Sequence, residues 1–458
     1  MLALLRKYLR FFLMTACAAV ALRLLFVFGS PHISDDSFIY GDIAKNWLRH
    51  GIYGLTGAGE VYPTYIRLPG YPAFLAVVFA IFGMEHYRAV LVVQMLFDIG
   101  TCFLIANSAR RLFSERAAKI AFLLAAVCPF LANYCAAALS ETLEIFFTAL
   151  ALDLAIAGLQ KHKNLCWIGC GLACSGAIFL RPDGGLLPMA IGLYLLVLLV
   201  RNVLSKHSAS IKKISTSQLI RVGIIFSVAS LAPLIPWAAR NWITMHRFQP
   251  LAPRYANEDD EYVDIGFNRW VKTWMVDYVS VEEIYWNVPG IKIDAKLLPS
   301  RAFDSSEQKQ QTEQLIDQYN STLDLDPQLD QKFNSLADAR IHQRPLRYYV
   351  KLPFLRIADM WLRPRTELLP PDPRWWQFND DRRWLTVALG FGLLNFAYVG
   401  LACLGAWRER SLPFLGLLLT FVILRSVFLG SLENPETRYT LECYPAVVLF
   451  IAALFRTS

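Results

Sequence analysis

Charge is scarce in this sequence, and what there is does not gather in one place. Only 18% of the 458 residues are charged, against 55% hydrophobic. That is too little polar side chain to coat a soluble globule, so lipid must be part of the solvent. The net charge is +8, but Lys and Arg sit in short clusters between apolar runs, which excludes a nucleic-acid surface and reads as membrane topology. There is no Walker sequence and no GxGxxG, so no nucleotide-binding fold is indicated. Neither an internal repeat nor a low-complexity tract is present. The nine cysteines have no CxxC spacing, and all but Cys443 fall inside apolar runs; neither a disulfide framework nor a zinc-thiolate site is indicated. Cys166, Cys170 and Cys174 share one helix face, a pattern that fits small-residue helix packing better than a metal or redox site.

What fills the sequence instead is apolar runs long enough to cross a bilayer. The first, Leu9–Gly29, follows Arg6 and Lys7 and is longer than a signal-peptide core, so it reads as a retained signal anchor with its N-terminus in the cytoplasm. Further spans are expected over 88–109, 120–138, 144–160, 165–180, 184–200, 222–240, 384–406, 412–430 and 444–455, about ten in all. The segment 69–83 is excluded from them. It is short for ~30 Å of hydrocarbon, opens with Pro-Gly-Tyr-Pro, and as a span would put the basic segment Arg110–Lys119 on the wrong side. It is expected as an interfacial helix. The remaining crossings then alternate, with basic clusters such as Arg201–Arg221 inside and both termini cytoplasmic.

The expected fold class is therefore an all-α polytopic membrane protein in three parts. Residues 1–240 form an N-terminal transmembrane module with its first outer loop at 30–67, 241–383 an extracytoplasmic loop domain, and 384–458 the C-terminal spans. The loop domain reads as mainly helical, with polar helical spacing over Ser306–Ala337. An amphipathic stretch, Tyr348–Leu362, is suited to lie on the membrane surface. Trp270, Trp274, Trp286, Trp361, Trp375 and Trp376 are expected as headgroup anchors or as walls of a cleft, with anchoring the plainer reading.

This topology collects charge on one side. Asp35 and Asp36 follow the first span, Glu141 lies in a short outer turn, Asp183 follows another span, and Glu433, Glu436 and Glu442 precede the last. Arg67, Arg181, Arg240 and Arg438 lie on the same side. Any one of these could merely orient a helix; together they are what a phosphate-handling site requires. Adjacent acids can divide general-base and hydrogen-bonding roles, and arginines can hold a departing phosphate.

Six short motifs occur in order: Ser34-Asp35-Asp36-Ser37, Ile66-Arg67-Leu68-Pro69-Gly70-Tyr71-Pro72, Leu139-Ser140-Glu141, Leu180-Arg181-Pro182-Asp183-Gly184, Pro236-Trp237-Ala238-Ala239-Arg240-Asn241 and Glu436-Thr437-Arg438-Tyr439. With this topology they resemble bacterial GT-C glycosyltransferases of the dolichyl-phosphate-mannose–protein mannosyltransferase superfamily, family 39 and the related aminoarabinose transferases. The resemblance implies a GT-C fold and an inverting transfer of sugar from a polyprenyl-phosphate carrier on the extracytoplasmic face. It implies Asp35 as the base toward the acceptor hydroxyl, Asp36 as its partner, and Glu141 as the second acidic site. It also implies donor-phosphate contacts from Arg67, Arg181, Arg438 and Tyr439. A divalent metal, in members that use one, would fall to Asp35 and Glu141. The outer loop has no recognisable extra β-domain, which favours a glycolipid or other glycan acceptor over protein, and Arg67 replaces the Lys of aminoarabinose transferases, which leaves the sugar open. The alternatives are a transporter or flippase of polyisoprenoid-linked or other amphipathic substrates and a structural or assembly factor. A transporter would carry its ionisable groups near the bilayer midplane within repeats.

Overall fold

The computed structural model describes residues 1–204, 215–258, 261–371, 373–377, 382–410, 412 and 414–456. The middle of the basic stretch Arg201–Arg221 lies outside these. The chain divides into two compact units: Met1–Asp259 with Gly400–Val422 and Leu441–Ser458, and Asp260–Val399 with Ile423–Thr440.

Among the described residues six helical segments are long and apolar enough to cross a membrane: Leu9–Gly29, Tyr87–Leu112, Glu141–Lys161, Pro182–Leu204, Thr216–Met245 and Arg382–Arg408. Asn164–Leu180 and Leu415–Gly430 are shorter, and Gly70–Phe82 has only 13 residues. The protein is thus an all-α polytopic membrane protein, but two of the expected spans are not spans of regular helix. Over 120–138 the chain forms Glu115–Ala126, a break, and the six-residue Pro129–Tyr134. Pro129 has no N–H to give the carbonyl four residues back and holds Cys128 extended, so the helix ends there. Over 444–455 the helix is Tyr444–Ala453, ten residues or about 15 Å, all buried inside the first unit.

Broken backbone at membrane depth survives only if the protein satisfies its polar groups, and here it does. The extended segment after Tyr134 exchanges backbone hydrogen bonds with His32, whose N–H donates to Ala136 O at 2.8 Å and whose carbonyl accepts from Ala138 N at 3.0 Å. Gln94 Nε2 donates to Ala137 O at 2.7 Å. Arg23, in the first span, donates to Ala126 O and, at 3.2 Å, to Ala125 O, carbonyls stranded by the break. Arg23 is itself neutralised by Asp98 at 2.6 Å, and both are fully buried. The Cys170 and Cys174 side chains are buried between helices, with the Cys170 thiol donating to Ala151 O.

The loop after the first apolar helix, expected on the outer side, folds as a helix, Asp35–His50, and a hairpin, Gly54–Gly57 with Glu60–Pro63. Ala58 and Gly59 at its tip both have positive φ, the geometry that matches the twist of a tight hairpin. Asp42 accepts from Thr56 N at 2.7 Å and Asn46 donates to Gly54 O at 3.1 Å, which ties the hairpin to the helix.

The second unit is helical around one apolar core, with Ile265–Lys272, Ser306–Thr322 and Pro327–Gln343 packed together. Trp270 and Trp274 are fully buried in that core. They are neither anchors nor cleft walls, because the helix Ile265–Lys272 turns its aromatic face onto Pro327–Gln343, with Trp270 against Phe333. Trp286 and Trp376 are exposed, and Trp361 donates to Ser426 Oγ at 3.0 Å.

Candidate functional site

In the first unit two ion-pair clusters form, one of them against Tyr40. Asp35 and Asp36 occupy the first turn of Asp35–His50, where the helix dipole favours negative charge. The turn is fixed by Ser37 Oγ, which accepts from Ser34 N at 3.1 Å. Asp35 is exposed, whereas Asp36 pairs with Arg67 at 2.9 Å. The Arg67 guanidinium lies 5.6 Å from the Tyr40 ring centroid. Tyr40 falls four residues after Asp36, one turn on along the same helix face.

The second cluster joins the ends of two apolar helices. Arg181, extended just beyond Asn164–Leu180, reaches Asp183 at 3.0 Å and Glu141 and Glu144 at 3.5 Å each. Both glutamates are buried in the first turn of Glu141–Lys161. Burial pushes the Tyr40 phenol above its ordinary value, and the charges acting on it are Arg67, Asp36, Arg181 and Glu141, so both clusters are within electrostatic reach of one side chain.

Close backbone contact brings the segments together. A Cβ on Gly70 would meet Phe179 O at 2.6 Å, so the absence of a side chain lets the segment after Arg67 lie on the end of the helix that delivers Arg181. A Cβ on Gly184 would meet Ala177 O at 2.4 Å, which allows the tight turn after Arg181. Arg240 fixes the hairpin from outside: it donates to Thr64 O at 2.7 Å and Tyr53 O at 2.6 Å. Its guanidinium lies 5.3 Å from the rings of Tyr53 and Trp237. Tyr53 in turn donates to the carbonyl of Arg67 at 2.9 Å.

Arg438 and Tyr439 belong to the second unit. There Arg438 pairs with Glu436 at 2.6 Å, and the Tyr439 hydroxyl donates to the same carboxylate at 2.6 Å. Among the described residues no group of three or more His, Cys, Asp or Glu side chains is placed to hold a metal, so Asp35 and Glu141 are not part of such a set.

Three residues of the clusters escaped the sequence reading or were undervalued by it. Glu144 stands one turn from Glu141, and Tyr40 one turn from Asp36; helical spacing could have found both. Arg240 was visible as a charge, but its role in holding two segments distant in sequence was not.

Residues 66–237 match the family model described as dolichyl-phosphate-mannose-protein mannosyltransferase. The match holds Arg67, Glu141, Arg181 and Trp237 and begins after Asp35 and Asp36. No curated protein matches the chain in sequence. Among solved structures the chain is similar to the archaeal oligosaccharyltransferase AglB from Archaeoglobus fulgidus in complex with an inhibitory peptide and a dolichol-phosphate. The TM-score is 0.52 at 14% identity, covering 98% of this chain and 50% of that one. An Archaeoglobus fulgidus oligosaccharyltransferase tethered with an acceptor peptide containing the NVT sequon gives the same values. ArnT from Cupriavidus metallidurans bound to undecaprenyl phosphate is similar with a TM-score of 0.43 at 13% identity, covering 95% of this chain and 77% of that one. The chain spans about half the length of the archaeal enzyme. The resemblance read from the six motifs is borne out in fold: the chain has the GT-C architecture.

Proposed function

With a GT-C fold and a mannosyltransferase-family segment at 66–237 as its premise, we propose that this chain is an integral-membrane glycosyltransferase moving a sugar from a polyprenyl-phosphate carrier to an acceptor outside the cytoplasm. The observation that carries the reading is the Asp36–Arg67 pair at 2.9 Å, with the segment after Arg67 lying on the helix end that delivers Arg181. A lipid phosphate is already an activated leaving group, so the enzyme needs a base, a cation and alignment. Exposed Asp35 takes the proton of the acceptor hydroxyl. The freed oxygen attacks the anomeric carbon from the face opposite the phosphate, the carbon–oxygen bond to phosphate breaks, and its electron pair leaves with the phosphate. Arg67 neutralises the departing charge, with Arg181 as a further phosphate contact and Glu141 as the second acidic site; phosphate contacts from Arg438 and Tyr439 stay an expectation of the resemblance. Inversion at the anomeric carbon follows from the single displacement.

The proposed setting is the inner membrane, with both termini cytoplasmic and the site on the outer face. The loop stretch 241–383 has no strand among its described residues, which supports a glycolipid, lipopolysaccharide or other glycan acceptor over protein.

The Asp36–Arg67 pair favours a second assignment within the same reaction. A donor phosphate competes with Asp36 for Arg67, and its arrival would release Asp36 as the base. Transfer in proteoliposomes supplied with a polyprenyl-phosphate sugar separates the two. Loss in Asp35→Asn alone supports the first assignment, and loss in Asp36→Asn alone the second. Full transfer by both variants, or by Arg67→Ala at limiting donor, removes the proposed chemistry.

A further inference from the structure

One amphipathic surface in the second unit has no part in this chemistry. The chain from Arg347 to Leu362 is a π-helical turn, Arg347–Lys351, running into the helix Leu352–Leu362. One face is buried at Leu352, Arg356 and Met360. The opposite face carries Leu346, Tyr349, Val350 and Phe354, each at least 61% exposed. Four large apolar side chains one turn apart form a continuous stripe that water does not favour.

The buried face locates the stripe relative to lipid. Arg356 donates to Gly430 O at 3.1 Å, at the end of the apolar helix Leu415–Gly430. Gly430 has no side chain where Pro353 O and Ile357 press against it. Trp361 bonds Ser426 one turn further along. Asn395, inside the candidate span Arg382–Arg408, donates to Trp361 O at 2.8 Å and Arg363 O at 3.0 Å and accepts from Arg365 at 3.1 Å. The C-terminal end of Leu352–Leu362 is therefore bonded to the flank of a membrane-crossing helix. At 1.5 Å per residue the stripe from Phe354 back to Leu346 lies roughly 10 to 20 Å along the helix from that anchor. Pro353, next to Phe354, presses on Gly430, the last residue of the apolar helix Leu415–Gly430, so the stripe stands by the end of an apolar helix, where headgroups meet acyl chains. Exposed Arg344 and Lys351 flank it, the former 60% exposed and only 3.7 Å from Asp304 at closest.

We propose that this face inserts into the membrane leaflet at the Arg382 end of the span Arg382–Arg408, with Leu346, Tyr349, Val350 and Phe354 among the acyl chains and Arg344 and Lys351 on anionic headgroups. The stem of each basic residue covers apolar surface while its charge reaches the phosphates. The surface is a second, monotopic attachment of the outer unit to lipid, independent of which sugar the protein handles.

The test uses the full chain in nanodiscs, with Cys17, Cys166 and Cys403 replaced by Ala and a nitroxide on Val350→Cys. Insertion predicts collisions with molecular oxygen several-fold more frequent than with a water-soluble nickel chelate. A nickel excess means the face is in water, and low collision with both means protein covers it; either overturns the proposal. Adding phosphatidylglycerol to phosphatidylcholine nanodiscs should deepen the label, and Arg344→Glu with Lys351→Glu should abolish that gain. A depth indifferent to lipid charge overturns the headgroup assignment.

Discussion

The most demanding consequence of the fold concerns the pair Arg23–Asp98. Both side chains are buried, at 0% and 3% exposure, and lie 2.6 Å apart in two helices of the first unit. Arg23 also donates to the carbonyls of Ala125 and Ala126, which Pro129 leaves without their helical donors. Arg23→Met strands the Asp98 charge and Asp98→Leu strands the Arg23 charge, so each should cost about 3–5 kcal/mol. The double variant removes both charges and leaves only the two carbonyls wanting a donor, a penalty of about 1–3 kcal/mol. If the two single losses were independent, their sum would be about 6–10 kcal/mol. The expected double-mutant cycle is therefore strongly non-additive, with the double variant more stable than either single one. The assay is unfolding by SDS titration in mixed micelles, followed by tryptophan fluorescence. An additive cycle, or a neutral Asp98→Leu, would refute the assignment of Arg23 as a charge-neutralised cap on the broken helix.

Gly70→Ala places a Cβ 2.6 Å from Phe179 O, so overpacking should cost about 1–3 kcal/mol and separate Arg67 from the Arg181 cluster. Thermal unfolding and donor affinity should both worsen; unchanged donor affinity in a destabilised variant would detach the glycine from the site. In the second unit, burial and then the charges of Asp330, Asp324 and Glu261 push the Asp264 carboxyl from 3.8 up to about 7. The folded state therefore binds this proton more tightly than the unfolded one. Its contribution is full below about 4 and is lost as pH rises through about 7. Asp264→Asn should flatten the melting temperature across that window, and a profile parallel to the parent's would contradict the shift. For topology, a cysteine replacing Glu60 should react with an impermeant maleimide on intact cells, and one replacing Lys163 only after permeabilisation; reversed labelling would invert the sidedness.

Much of the architecture was legible in the sequence because the bilayer enforces it. Hydropathy marks a helix such as Tyr87–Leu112 whatever its neighbours, since no other backbone arrangement satisfies itself in lipid. Sequence also pointed to Asp35, Asp36, Arg67, Glu141 and Arg181, whose motifs stand at the ends of apolar runs. Hydropathy failed at 120–138 because it counts apolar side chains and cannot see whether a backbone break is repaired from elsewhere, and at 444–455 because an apolar run does not tell a short helix buried in protein from one in lipid. Only the tertiary structure supplies the donors of Arg23 and Gln94 that let the first segment break. The same limit applies to the site, where sequence placed Asp36 and Arg67 on one side of the membrane but could not pair them. That pairing depends on a hairpin held by Arg240 and on Gly70 lying against Phe179, contacts between residues more than a hundred positions apart. Sequence determined which segments are apolar enough to cross a membrane and which charges stand at their ends; folding decided which of those charges meet, because meeting depends on packing distances that no local pattern encodes.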